Sequence, residues 1–140
     1  MKLIKYILVL LMTITCLRAE NDLTAADKLF FKDIQKAVAG DQAERLATMV
    51  LYPLTVKIDT GNVVLKAPRD FVDMYKRIIT AKVKQAVNDQ QSDTLFKSWR
   101  GLMIGRGQIW FDLVKLEDES KDFAYKIIAI NPLAPSQSPQ

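Results

Sequence analysis

The chain contains no histidine, and its single cysteine, Cys16, lies in an apolar run near the N-terminus. This removes the commonest general base, the serine and cysteine nucleophiles that depend on it, and the usual zinc sites. Carboxylates, phenols and a group of tryptophans and arginines remain. The richest stretch is Ser98 to Asp112, Ser-Trp-Arg-Gly-Leu-Met-Ile-Gly-Arg-Gly-Gln-Ile-Trp-Phe-Asp, with both tryptophans and three of the five glycines. If its second half is an extended strand, Gln108, Trp110 and Asp112 share one face, and Ile109, Phe111 and Leu113 the other. A carboxylate stripped of water on a pocket wall beside an indole is a physical recipe for a general base. Asp112 is therefore the candidate acid or base, with Tyr52 and Tyr75 as hydroxyl donors to an oxyanion. An ordinary half-solvated sheet has the same alternation, and both tyrosines equally suit a core with satisfied hydroxyls. No catalytic residue is assigned, and the balance favours a protein that is not an enzyme.

As a binding surface the stretch has more to offer. Trp99, Arg100, Arg106, Gln108 and Trp110 combine the two residue types that dominate interaction hot spots with an amide. Lys76, Arg77, Lys82, Lys84 and Lys97 add positive charge, but most of these fall opposite the apolar stripe of a helix and form its solvated side. Gly105-Arg106-Gly107 is too short for a phosphate loop and precedes a strand instead of a helix. The acidic run Glu117, Asp118, Glu119 and Asp122 lacks the alternating spacing of a calcium loop. Asp59 opens an Asp-Thr-Gly-Asn turn, where its side chain has backbone to bond. No metal and no cofactor is expected.

The first residues have the layout of an export signal: Lys2 and Lys5, then an apolar Tyr6 to Ile14, then a cut near Ala19 or Glu20. The apolar run is shorter than the ~20 residues that span a bilayer, so no permanent membrane span is expected. Lipidation at Cys16 is a second, weaker reading, because Thr13-Ile14-Thr15 match poorly the small residues such sites carry. The chain has 20 basic and 16 acidic residues; Lys2, Lys5 and Arg18 leave with the signal, so a chain starting at Glu20 keeps 17 basic against 16 acidic groups. A nearly neutral exported protein gives no warrant for nucleic acid as partner. A periplasmic or secreted location follows, with a protein partner or a small apolar ligand.

The expected organisation is a signal peptide at 1–20, one domain at 21–131 and a disordered proline-rich tail at 132–140. Residues 23, 26, 29, 30, 34, 37 and 38 form a helical apolar stripe, opened by a Thr24–Asp27 capping box and closed by a left-handed Gly40. Asp41 restarts a short helix to about Met49. Tyr52 to Ile58 alternates as a strand, turns at Asp59-Thr60-Gly61-Asn62 and returns at Val63 to Leu65. Pro68 opens a helix bearing Phe71, Met74, Tyr75, Ile78 and Ile79, and Thr80 caps another. Leu95 and Phe96 dock on the core. A three-strand meander follows, from the hairpin around Gly105 to a last strand, Phe123 to Ile130.

Two helices, a hairpin, a long broken helix and a meander give an α+β fold, with N-terminal helices packed on a strongly curved antiparallel sheet. With Tyr52-Pro53-Leu54 opening the first strand and Gly-Leu-Met-Ile-Gly-Arg-Gly-Gln-Ile-Trp-Phe at the centre, this order over residues 23–131 resembles the nuclear-transport-factor-2-like superfamily, a cystatin-like α+β cone. The resemblance implies a cone whose enzymes place an acidic base inside, which would be Asp112 here. The superfamily hosts isomerases, dehydratases, hydrolases, transport adaptors and toxin-neutralising immunity proteins. It also implies that a homodimer through the open sheet face is compatible with the fold. The expected function is an exported, non-enzymatic binding protein, for instance an immunity protein, with a small-molecule isomerase or hydrolase as the alternative.

Overall fold

A computed structural model describes residues 22–117 and 121–135. The expected signal segment and most of the proline-rich tail lie outside the described residues, as does the centre of the acidic run.

Helix α1, Ala25–Ala39, begins with the capping box that Thr24 and Asp27 predict: the Asp27 amide donates to Thr24 Oγ1 at 3.1 Å, and the Thr24 amide donates to Asp27 Oδ2 at 2.9 Å. Most of the expected stripe faces the core, with Ile34, Ala37 and Val38 buried and Leu23 and Phe30 packed against it, while Ala26 and Leu29 are exposed. Asp27 and Phe31 face inward as well. The helix end differs from the expected one. Gly40 has φ −90°, and the left-handed residue is Asp41, with φ 48°. Aspartate tolerates this region because its short polar side chain finds local partners. Here those partners are Lys84 Nζ, at 2.6 Å from Asp41 Oδ1, and the Tyr75 hydroxyl, at 3.1 Å. Helix α2, Ala43–Thr48, follows from a Gln42 N-cap whose side chain does not cap a helix amide and accepts instead from Arg45 at 3.4 Å.

Strands β1, Leu54–Ile58, and β2, Gly61–Leu65, form the first hairpin, with Leu54 opposite Leu65 and Ile58 opposite Gly61. β1 alternates buried and exposed, as its period of two requires. Pro53, just before the strand, follows a cis peptide bond. Helix α3, Pro68–Ile78, starts with proline at its first position, and Asp70 Oδ2 accepts the Lys66 amide at 2.8 Å and the Ala67 amide at 3.2 Å. It buries Phe71, Tyr75 and Ile78. Helix α4, Ala81–Asp89, is capped by Thr80 and buries Val83 and Val87.

The second sheet is an antiparallel meander of four strands, not the expected three: β3, Phe96–Ser98, β4, Gly101–Ile104, β5, Ile109–Lys115, and β6, Phe123–Ile130. The added strand is the stretch expected merely to dock; Phe96 pairs with Met103 and Lys97 with Leu102. A three-residue strand is too short to show a period of its own, so only its partner reveals it. The sheet's inner face turns Leu102, Ile104, Ile109, Phe111, Ile127 and Ile130 into a core shared with α1, α3 and α4. Phe30 of α1 bridges the layers, 5.4 Å from both Phe111 and Tyr125 between ring centres. A register shift between Trp110 and Phe111 accommodates one extra residue of β6, so both Ile127 and Ile130 face the core. The segment before β1 meets β6 at an isolated parallel bridge, Val50 to Ile127, flanked by hydrogen bonds from the Leu51 amide to the Ile127 carbonyl and from the Ile127 amide to the Met49 carbonyl.

Candidate functional site

The β4–β5 turn is held by side-chain hydrogen bonds from three different segments. Gly105 has φ 65° and Gly107 has φ 101°, conformations that side chains rarely adopt. A Cβ at Gly105 would collide with Gln108 Oε1 and lie 2.9 Å from the Ala86 methyl, so glycine is also required sterically. Three amide side chains fix the turn. Gln90 Oε1 accepts the Gly105 amide at 2.9 Å, Gln108 Oε1 accepts the Arg106 amide at 2.6 Å, and Asn131 Nδ2 donates to the Gly107 carbonyl at 2.7 Å. Gln108 is 2% exposed, and its Nε2 donates to the Pro135 carbonyl at 3.2 Å. Pro132, in the expected tail, is buried.

This turn forms one wall of a cleft of about 490 Å³. The opposite wall is a helical stripe on α4: Lys82, Gln85, Ala86 and Asp89, at i, i+3, i+4 and i+7. Gln91 and Thr94 close one end. Ala86 is the single aliphatic side chain among these, so the lining suits a polar ligand better than the apolar one expected. Lys82 and Arg106 carry no ion pair or side-chain hydrogen bond among the described residues.

The expected site residues divide between two ends of the sheet. Arg106 and Gln108 line the cleft. Trp110 does not line it; its Nε1 lies behind the turn, 3.4 Å from where a Cβ on Gly107 would be. Gln108 does not share a strand face with Trp110 and Asp112. It sits in the turn and points inward, while the two strand residues stand partly exposed on the outer face, in line with Met103 and Lys126 respectively. Trp99 and Arg100 occupy the other end of β4, with the guanidinium 4.9 Å from the indole centre and Trp99 87% exposed.

The proposed acid–base set does not assemble. Asp112 Oδ1 accepts the amide of its own neighbour Leu113 at 2.9 Å. The Tyr52 hydroxyl donates to the Ala47 carbonyl at 2.7 Å, and the Tyr75 hydroxyl donates to Asp41. Burial pushes both phenols up to about 12, helped by the charge of Asp70 for Tyr52 and by the hydrogen bond to Asp41 for Tyr75.

One buried ionic group was expected only as a helix cap. Asp27 is 2% exposed. Its Oδ2 lies 2.7 Å from Lys97 Nζ, and its Oδ1 accepts the Tyr125 hydroxyl at 2.6 Å. Burial alone would raise the proton affinity of Asp27, but the hydrogen bonds from Lys97, Tyr125 and the Thr24 amide outweigh it and hold the carboxyl below its usual value. The hydrogen bond to Asp27 raises Lys97 in turn. The sequence signal was a charge at 27 in phase with Phe31, Ile34 and Val38, a position that requires a partner. Each oxygen is satisfied, so the group ties α1 to the sheet. Among the described residues no three His, Cys, Asp or Glu side chains gather as a metal site, and no helix is long and apolar enough to cross a membrane.

No protein-family model, no curated protein and no solved structure matches the chain.

Proposed function

We propose that this protein is an exported, non-enzymatic binding protein of the cell envelope, and that it recognises its target through the cleft beside the Gly105-Arg106-Gly107 turn. One observation carries the reading: a turn immobilised by three amide side chains presents an arginine that has no partner within the described chain. A plain hairpin connection needs no such bracing. Holding the loop in advance lowers the ordering cost of binding. The phenols that an acyl- or enol-type reaction would need are committed to Ala47 and Asp41, which weighs against the isomerase or hydrolase alternative.

The finer fold reading, a nuclear-transport-factor-2-like cone, draws support from the parallel Val50–Ile127 bridge, which brings the segment leading into the first hairpin alongside the last strand of the meander. A toxin-neutralising immunity role is one form the binding reading can take. The test is amide mapping of isotope-labelled residues 22–140 against protein and solute fractions of an envelope extract. Shifts centred on Gly105 to Gln108 are expected. Shifts confined to other surfaces would overturn the assignment of the cleft, and no shift from any fraction would remove the binding reading. A gene deletion that leaves sensitivity to envelope-acting toxins unchanged would remove the immunity form alone.

A further inference from the structure

We infer that the cleft takes a polar solute bearing an oxyanion, a carboxylate or a phosphate monoester, with Arg106 as its anchor and Lys82 as the second cation; this rests on the cleft being a binding site. Its volume of about 490 Å³ is within the ~300–1,000 Å³ of small-molecule sites. The walls supply two cations against one carboxylate, Asp89. That surplus is local, since the chain from Glu20 onward carries 17 basic and 16 acidic groups. Several cations outside the cleft have a carboxylate partner: Lys28 pairs with Asp93, Arg45 with Asp33, Arg77 with Asp59 and Lys84 with Asp41. Lys82 and Lys84 sit on the same helix, yet only the one outside the cleft has a carboxylate partner.

Arg106 has the right chemistry for an anchor. Its planar fork matches carboxylate and phosphate oxygens two at a time, where lysine offers a point charge. Its backbone is fixed by Gln108 through its own amide, while Gln90 and Asn131 hold the glycines on either side. Gln85 and Gln91 add amide donors and acceptors suited to the hydroxyl or amide groups of the ligand's neutral part. Ala86 is the one aliphatic side chain of the lining, so a hydrophobic ligand would leave the amides and charges without water or partner.

Trp110, against Gly107, provides a reporter, and replacing the exposed Trp99 with Phe makes it the sole indole. The Trp99→Phe protein, residues 22–140, is titrated with glucuronate, glucose 6-phosphate and glucose, following indole emission and the Gly105 and Gly107 amide resonances. Saturable binding of at least one anionic probe is expected, with glucose much weaker; which anion binds identifies carboxylate or phosphate as the group held. Arg106→Gln should weaken that binding about tenfold or more, the scale of a charge-assisted fork, and Lys82→Gln several-fold. Arg100→Gln, at the other end of β4, should leave it within about twofold. Neither cleft cation has an ion pair or side-chain hydrogen bond among the described residues, so the variants should keep the parent melting temperature. The inference is overturned if glucose binds as well as the anions, if Arg100→Gln weakens binding as much as Arg106→Gln, or if neither probe moves either signal. In each of these cases the envelope-fraction mapping still decides independently whether the cleft binds anything.

Discussion

Asp27 Oδ2 and Lys97 Nζ lie 2.7 Å apart, joining two residues separated by 70 positions in the chain. The carboxylate is almost fully buried, whereas the lysine side chain keeps 33% of its exposure. Such a pair contributes little net stability when intact, but removing one partner strands the other. Lys97→Met should therefore destabilise the protein by about 2 kcal/mol, below the ~3–5 kcal/mol of fully buried pairs because Lys97 is partly solvated. Chemical denaturation of the variant at neutral pH checks this. A loss under about 0.5 kcal/mol would mean that Tyr125 and the Thr24 amide suffice.

The same group sets an acid limit. Against the effect of burial, the Lys97, Tyr125 and Thr24 hydrogen bonds hold the folded-state pKa of Asp27 below the ordinary carboxylate value. Its contribution is thus present above the unfolded pKa and is lost as pH falls through the lower folded value. Stability should decline below about pH 4–5, and Lys97→Met should flatten that decline. Denaturation midpoints measured across this range would show it. An identical acid slope in both proteins would mean other carboxylates govern the transition.

At high pH the tyrosines take over. Tyr52 and Tyr75 are pushed to about 12, and burial and Asp27 raise Tyr125 as well. Their folded pKa values exceed the unfolded ones, so the folded state holds protons that the unfolded chain releases. The linked stability is complete below about pH 10 and falls as pH rises through the folded values. In the 22–140 protein these are the only tyrosines. Phenolate absorbance should therefore stay low near pH 10 and rise sharply only with unfolding. A gradual rise centred near 10 would indicate an exposed phenol.

Replacing Gln108 by Leu leaves the Arg106 amide and the Pro135 carbonyl without partners. The expected cost is about 1–3 kcal/mol, with faster hydrogen exchange at Arg106. Gln108→Glu keeps the acceptor for the Arg106 amide and should hold its exchange closer to the parent rate. Equal, slow exchange in all three proteins would show that the glycines alone set the turn.

Trp99 and Phe111 make a contrasting pair. Phe111→Ala removes a ring that is 0% exposed and should cost about 3–5 kcal/mol. Trp99→Ser, at an 87% exposed position, should shift stability by no more than about 0.5 kcal/mol. Thermal unfolding separates the two, and a large loss at Trp99 would mean that its stacking on Arg100 supports the β3–β4 turn.

Local signals were legible and non-local ones were not. The Thr24–Asp27 box, Pro68 at a helix start, the Thr80 cap and the glycine-flanked turn at Arg106 depend on residues within a few positions of each other. Strand β3 has no signal apart from its partner β4. Asp27 looked complete as a cap because Lys97 and Tyr125 are distant in sequence. Half of the cleft was visible in the same way: Arg106 and Gln108 stood out, but the polar α4 stripe had the pattern of an ordinary solvated helix face. Only packing the turn against Ala86 makes a wall of it.

The Val50–Ile127 bridge bears on the order in which the molecule can be completed. β6 pairs along its length with β5 on one side, and Ile127 bonds the 49–51 segment on the other. A nascent chain ending before residue 123 leaves both of those edges open, the β5 edge and the 49–51 segment. The last strand to be made therefore completes both the meander and its link to the 49–51 segment.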